Sequence, residues 1–572
     1  MDSASFRKEL KRRLKSAGRK VLLRIAVAPQ MENPREFTGD DILELATKLA
    51  ADHATGEGSV VLILLPHSPE LFLLHLGLIF KGCVPAILPW PTSRMDGGKY
   101  QRNLLHQLQN LPAGLLITTP RLAENLQPGL PYPALGCSIQ NAEAHDQRFA
   151  AHCALPESPA PSIARPPHPG ADCIFLQFSG GTTGSQKSVA VSASILVSQL
   201  ERLRGVLAFS SDDAVASWLP MYHDMGLIAC LWLPLWCGAS STQFAAADWL
   251  MSPQLLFRFM DRFHATFTWL PNFAFSYLAQ RHEAMPGDYA LGHVRGFINC
   301  SEPVRLNSIQ QFAGAFAHWG VEPSMLQTSY AMAENVFAVT QSPMGAELST
   351  VRGSEIQGAR LSLPDLAFNL LDDVFVSSGF PLPETELRVV DPAQEPCPEG
   401  TAGEIHVRSS SQFEGYWGSE GYNAAAIGAD GFYHTGDYGF LSAGELYVIG
   451  RMKDIIIVGG QNIFPEDVET VVNSLAGIYP GRVVAFGVLD EQYGTETLAV
   501  VAEMRGNFEA QRAEPMQREL RQLVLATIGI APRYASILPE RWIVKSTAGK
   551  ISRKETREKF LQEVIGKRKS EE

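Results

Sequence analysis

The chain has 572 residues, of which 45% are hydrophobic and 19% charged, so it is long enough for a large body plus a separable module and is neither disordered nor fibrous in composition. Its formal net charge of −12 sets it against nucleic-acid phosphates and excludes a general nucleic-acid binder. The eight cysteines (Cys83, Cys137, Cys153, Cys173, Cys230, Cys237, Cys300 and Cys397) form no C-x-x-C pair and no Cys/His cluster at zinc spacing, which fits buried free thiols in a reducing compartment.

Taken in chain order, the basic run 7–20 leads into a short apolar run at 21–28. Arg24 interrupts that run and no small-residue cleavage site follows, so these residues predict a surface helix entering a strand rather than a secretory signal. The apolar stretch 60–80 is broken by Pro66, His67, Pro69, Glu70 and His75 and predicts a buried strand followed by a core helix, with no integral membrane segment. Further apolar runs at 173–178, 214–219 and 483–489, bounded by Gly and Pro, alternate with helix-period stretches in the manner of α/β layering. Residues 156–169, rich in Pro, Ser and Ala, predict a surface connection. Near Gly450 and Arg451 the pattern restarts with short strands and charged helices, predicting a body over 1–450 and a small domain over 451–572.

The run SGGTTGSQKS at 179–188 follows a predicted buried strand. Its glycines let backbone N–H groups turn inward, its hydroxyls add donors and Lys187 adds a positive charge, so the loop is built to cradle phosphates. It is not a Walker A loop, because Ser185 and Gln186 separate Gly184 from the lysine. Standing alone it would also fit a solvated Gly/Ser hairpin.

Further motifs accompany it in a fixed order: YHDMGL at 222–227, PNFAF at 271–275, SEPVR at 301–305, SYAMAE at 329–334, YHTGD at 433–437, GRMKD at 450–454 and KSTAGK at 545–550. Together with the phosphate loop they resemble the signatures of the adenylate-forming enzymes, and YHDMGL, PNFA and EPVR resemble the fatty acyl-AMP ligases in particular. The loop departs from the family pattern at Gly180, where Ser is usual, at Gln186, where Pro is usual, and at Ser188, where Gly is usual; Ala331 replaces a usual Gly.

The resemblance implies an α/β fold: a large multi-lobed N-terminal AMP-binding domain and a smaller, mobile α+β C-terminal domain. It implies ATP and Mg2+ as the reagents of a first step in which a carboxylic acid becomes an acyl-AMP with release of pyrophosphate. Such a step gathers negative charge around the α-phosphate, which calls for fixed donors and cations. By position in the motifs, Ser179, Gly181, Thr182, Thr183, Gly184 and Lys187 would bind phosphates, and Lys550 would bridge the acid and the α-phosphate. His223 would orient the carboxylate and Glu334 would hold magnesium. Ser329 would be among the nucleotide-binding residues, Tyr330 would stack on adenine and Glu302 lies in the loop that lines its pocket, while Asp437 and Arg451 would take the ribose. Trp218, Leu219, Met221, Trp269, Phe273 and Phe275 surround these motifs and point to a mainly apolar acid, although each is also an ordinary core residue.

Lys453 occupies the family position about which the C-terminal domain swings between adenylation and transfer. The segment near 340–375, including VRGSEIQGARL at 351–361, resembles the insertion that marks fatty acyl-AMP ligases and is associated with transfer to the phosphopantetheine of an acyl carrier protein acting in trans. These features imply a cytoplasmic enzyme of lipid or polyketide and nonribosomal peptide biosynthesis. Two alternatives stay open: an acyl-CoA ligase using free coenzyme A, and a catalytically inactive nucleotide- or acyl-binding module, which the departures at Gly180, Gln186 and Ser188 would suit.

Overall fold

The computed structural model describes residues 1–51, 56–90, 104, 108, 113–126, 130, 134–137, 172–179, 187–353, 374–417, 426–454, 456–458, 461–463, 465–490, 495–545 and 550–565. The predicted connection at 156–169 and the phosphate-loop positions 180–186 lie outside these residues.

The fold is α/β, as the alternation of apolar runs implies. The run at 60–80 shows how the sequence builds it. Strand Val60–Ile63 is buried along its length. Ser68 then caps the helix Pro69–Lys81 by accepting a bond from the Leu71 N–H, Pro69 sits in the first turn, and Gly82 ends the helix in the left-handed conformation. The basic N-terminal run forms the helix Ser3–Ala17, which buries Phe6, Leu10 and Leu14 on one face, and the chain turns at Gly18 into strand Val21–Ile25.

Two sheets form the body. In the first, strands Leu326–Ser329, Gly296–Cys300, Phe267–Leu270, Ala214–Ser217, Ser240–Gln243 and Val21–Ile25 run parallel in that order, and Arg35–Thr38 closes the edge antiparallel. The second sheet orders Ala134–Gly136, Leu115–Thr118, Val60–Ile63, Val84–Ile87 and Cys173–Phe178 in parallel, with Ser188–Ser192 antiparallel at its edge. One apolar core, running from Phe6 to Tyr433, joins residues of both sheets and the helices between them. Parallel strands gather their C-terminal ends on one side, where open α/β sheets bind ligands. The motif residues 301–305 and 329–334 follow two such ends directly.

A four-stranded antiparallel sheet follows, made of Thr385–Val390, Gly403–Ser409, Tyr433–Ser442 and Glu445–Arg451. The C-terminal part has its own core under a sheet of Ile478–Asp490, Thr495–Met504 and Tyr534–Leu538, covered by helices Pro465–Asn473 and Ala510–Ile528. Among the described residues no helix is long and apolar enough to cross a membrane. Of the cysteines, Cys83, Cys137, Cys173, Cys230 and Cys300 are buried free thiols, whereas Cys237 and Cys397 are half-buried.

YHDMGL begins at a tight turn after strand Ala214–Ser217 and enters a π-helical segment, Met225–Trp232, whose first N–H is capped by the Asp224 carboxylate. Gly226 packs so closely on this turn that a β-carbon would stand 2.3 Å from the Pro220 carbonyl oxygen. No rotamer relieves a clash with backbone. Gly226→Ala is therefore expected to lower stability by about 1–3 kcal/mol, read as an earlier urea midpoint for the body; an unchanged midpoint would show that the turn relaxes freely.

Candidate active site

Three groups of side chains converge at the C-terminal ends of the first sheet. The first is the segment 222–224. His223 is fixed through its backbone, donating to Pro220 and accepting from Leu227, while its Nε2 has no protein partner among the described residues. Burial, and then the nearby Lys550 ammonium, push its pKa down to about 3, so the ring is neutral at any ordinary pH. Burial raises the Asp224 pKa to about 6 against the opposing pull of the Met225 N–H and of Lys550. Both side chains keep some contact with solvent at the cleft, and the protein packed around them dominates the shift.

The second group is the loop 301–305. Ser301 lies in the left-handed region at φ 72°, a conformation a non-glycine residue adopts only when its surroundings impose it. The imposing contacts come from PNFAF. The Asn272 side-chain oxygen accepts from Asn299 Nδ2 at 2.9 Å and from the Arg305 N–H at 3.2 Å, and the Phe273 N–H donates to Glu302 Oε2 at 2.9 Å. Glu302 thus ties the loop to the helix Asn272–Ala279. Onto this loop the C-terminal part lowers Lys550, whose Nζ donates to the Ser301 carbonyl at 2.8 Å.

The third group surrounds Asp437. Gly436, at φ 69°, turns the backbone into the carboxylate, and its N–H donates to Glu404 at 3.1 Å. Asp437 Oδ1 takes Arg451 Nε at 2.9 Å from the opposed position on the neighbouring strand, and Oδ2 takes the Tyr330 hydroxyl at 2.5 Å. Each carboxylate oxygen keeps a second acceptor site. The Ser329 hydroxyl donates to the Thr340 carbonyl at 2.8 Å and so braces the strand end that carries Tyr330.

Between these groups, Glu334 Oε1 accepts from the Tyr416 hydroxyl at 2.7 Å, and Tyr416 lies 3.1 Å from the Tyr433 hydroxyl. Lys187 stands 4.4 Å from the centre of the Tyr416 ring. The base of the phosphate loop is closed by the Ser179 N–H to the Lys187 carbonyl at 2.9 Å and by the Lys187 N–H to Ser179 Oγ at 3.3 Å. Gly181, Thr182, Thr183 and Gly184 fall outside the described residues. Lys453 lies in the turn Met452–Asp454, with its side chain outside the description.

Sequence reasoning missed Tyr416, Tyr433, Asn272 and Arg305 as parts of this site. FEGYWG at 413–418, with its aromatics around a glycine, was the available signal for Tyr416. Of the apolar candidates, Trp218 stacks on Trp249 with ring centres 4.0 Å apart and Phe273 meets both edge-on. Trp269 and Phe275 are fully buried core residues, packed on Phe267 and Phe312 respectively.

Among the described residues no group of three or more His, Cys, Asp or Glu side chains could hold a metal by itself. A lone carboxylate such as Glu334 suits magnesium, which takes one or two protein oxygens and completes its shell with phosphates and water. The donor set as a whole brings together an anion (Asp437), two cations (Lys187 and Lys550) and a neutral imidazole (His223).

Known proteins share this chain's pattern. The sequence profile described as AMP-binding enzyme matches residues 19–417. A putative ligase of Mycobacterium tuberculosis is 31% identical over 388 residues, spanning 67% of this chain and 71% of its own length. The long-chain-fatty-acid–AMP ligase FadD26 of Mycobacterium marinum is 28% identical over 527 residues, spanning 87% and 86%. A solved structure from a study of fatty acyl-adenylate ligases from E. coli and L. pneumophila superposes with a TM-score of 0.79 at 23% identity, covering 98% of each chain, a likeness of fold.

The raised pKa of Asp224 has a stability consequence whose sign is fixed. Because the folded pKa, about 6, exceeds the usual carboxylate value of 3.8, the folded state holds the proton more tightly and loses stability as pH rises through that window. Asp224→Asn should therefore gain on wild type between about pH 4 and pH 6 and keep a constant advantage above it, measured as urea midpoints across pH; a difference independent of pH would place the Asp224 carboxyl in water.

Proposed function

The chain belongs to the AMP-binding enzyme family and is an adenylate-forming ligase, and we propose that it converts a mainly apolar carboxylic acid to its acyl-AMP and passes the acyl group to the phosphopantetheine thiol of a carrier protein. In the first step a carboxylate oxygen bonds to the α-phosphorus of ATP and the bond to the β-phosphate oxygen breaks, releasing pyrophosphate. In the second a thiol attacks the acyl carbon, AMP departs and the thiol proton passes to solvent.

The observation that carries this reading is the meeting of Lys550 with the Ser301 carbonyl beside His223 and Asp224. An ammonium at that point faces the charge that develops when the carboxylate meets the α-phosphate. His223, held neutral, orients the acid without adding charge. Asp437, braced by Arg451 and Tyr330, receives the ribose hydroxyls. Lys187 and the loop 179–188 take the terminal phosphates. Glu334 holds magnesium, which supplies charge neutralisation on the phosphates. Phe273, half-buried against the core pair Trp218 and Trp249, supports an apolar acid.

Lys453 serves as the hinge and residues 451–572 as the moving domain. The carrier protein as acceptor rests on the segment near 340–375, of which 354–373 lie outside the described residues, and on relatives such as FadD26 that are named AMP ligases.

Removing the Asp437 carboxylate deletes charge-assisted hydrogen bonds of about 1.5–3 kcal/mol each. Asp437→Ala should bind ATP far more weakly by calorimetry; unchanged affinity would remove Asp437 from the nucleotide site.

The function itself is tested by acid-dependent pyrophosphate release across a panel of acids, where fatty acids should exceed short polar acids and amino acids. In the same assay Lys550→Ala should lose roughly 10²–10³ in the adenylation rate while transfer from chemically supplied acyl-AMP survives. Equal loss in both steps would overturn the hinge assignment, and equal acylation of coenzyme A and carrier would favour the acyl-CoA ligase.

A further inference from the structure

The catalytic lysine is not alone in crossing to the loop 301–305. Arg305, at the far end of that loop, pairs with Asp467 in the C-terminal part, Nη2 to Oδ1 at 3.2 Å. Both side chains are about three-quarters shielded, at 27% and 22% exposure, which removes the pair from the class of fully solvated ion pairs. On the body side Arg305 is anchored twice through its backbone, by the Asn272 side chain and by an antiparallel bridge to Phe375, at the base of the segment that ends at 373. On the other side Asp467 lies in the first turn of helix Pro465–Asn473, where a carboxylate is favoured by the helix's own N–H groups.

Arg553 makes these two crossings one rigid unit. Its guanidinium binds Glu466 at 3.0 Å and Glu469 at 2.9 Å, both on Asp467's helix, and Asp454 at 2.8 Å, at the end of the hinge turn. It stands three residues beyond Lys550. The segment bearing Lys550, the helix bearing Asp467 and the end of the hinge turn are therefore clamped together before they reach the body.

We propose that Arg305 and Asp467 are positioning residues for the adenylating arrangement: their ion pair holds the clamped unit on the loop 301–305 and so registers Lys550 over the Ser301 carbonyl, and it must open before thiol transfer. The inference rests on the two-step reading above. It makes Arg305 the point at which the body, the base of the 354–373 segment and the moving domain touch.

The test uses full-length Arg305→Met, Asp467→Asn and the double variant. Acid-dependent pyrophosphate release should fall about two- to fivefold, while thiol transfer from supplied acyl-AMP holds or quickens. The double variant should be no worse than either single one, because the two residues act as a pair. Hydrogen–deuterium exchange of the free protein should quicken at 301–305 and 465–473 alone. Equal loss in both half-reactions with a lowered thermal midpoint, additive effects in the double variant, or unaltered exchange would each overturn the proposal. If the wild type released no pyrophosphate with any acid, the two-step reading would fail, and the exchange measurement would still decide whether the pair holds the C-terminal part in place.

Discussion

The Lys550 ammonium reaches the Ser301 carbonyl across 249 residues of chain, and a single hydrogen bond from an exposed lysine cannot hold two parts of a protein together. What makes the contact specific is the stiffness on either side of it. Ser301 is held in a conformation costing about 1–2 kcal/mol by a loop that bonds Asn272 through Arg305 and the Phe273 N–H through Glu302, with Asn299 bracing Asn272. The segment that bears Lys550 is fixed three residues further on by Arg553, which lies among three carboxylates. A bond between two preorganised surfaces is made or lost as a whole, which suits the two arrangements proposed above.

The same economy of position governs the rest of the cleft. The Asp437 carboxylate is aimed by cross-strand register with Arg451 and by the hydroxyl of Tyr330, which follows the end of a strand in another sheet, so its direction is set by long-range packing. Glu334 is aimed by Tyr416, which also lies beside Lys187, so the Lys187 ammonium and the Glu334 carboxylate share one aromatic support. His223 and Asp224 sit side by side with pKa values displaced in opposite directions by the same cause: burial penalises the charged form of each, lowering the imidazole and raising the carboxyl.

Buried thiols follow this rule too, including Cys300 beside Ser301. Burial pushes Cys173, Cys230 and Cys300 up to about 12, so these sulfurs behave as core atoms and compete with no acceptor thiol.

The order of elements and the family were legible in the sequence, because strand and helix periodicity are local and because motif residues such as HTGD and PNFAF owe their types to local backbone needs. Gly436 needs a positive φ, Gly226 needs to lie against Pro220, and Asn272 needs an acceptor oxygen at the first position of a helix. Tertiary structure alone decided which of the apolar candidates are core: Trp218 stacks on Trp249 inside the same core that takes Trp269 and Phe275, while Phe273 stays half-buried against it, a division that depends on which way strands from distant segments stack. It also decided that Tyr416 supports Glu334, that Arg305 meets Asp467, and that Lys550 meets Ser301. Partners so far apart along the chain leave no period or spacing to read, since each contact exists only after separate layers have packed.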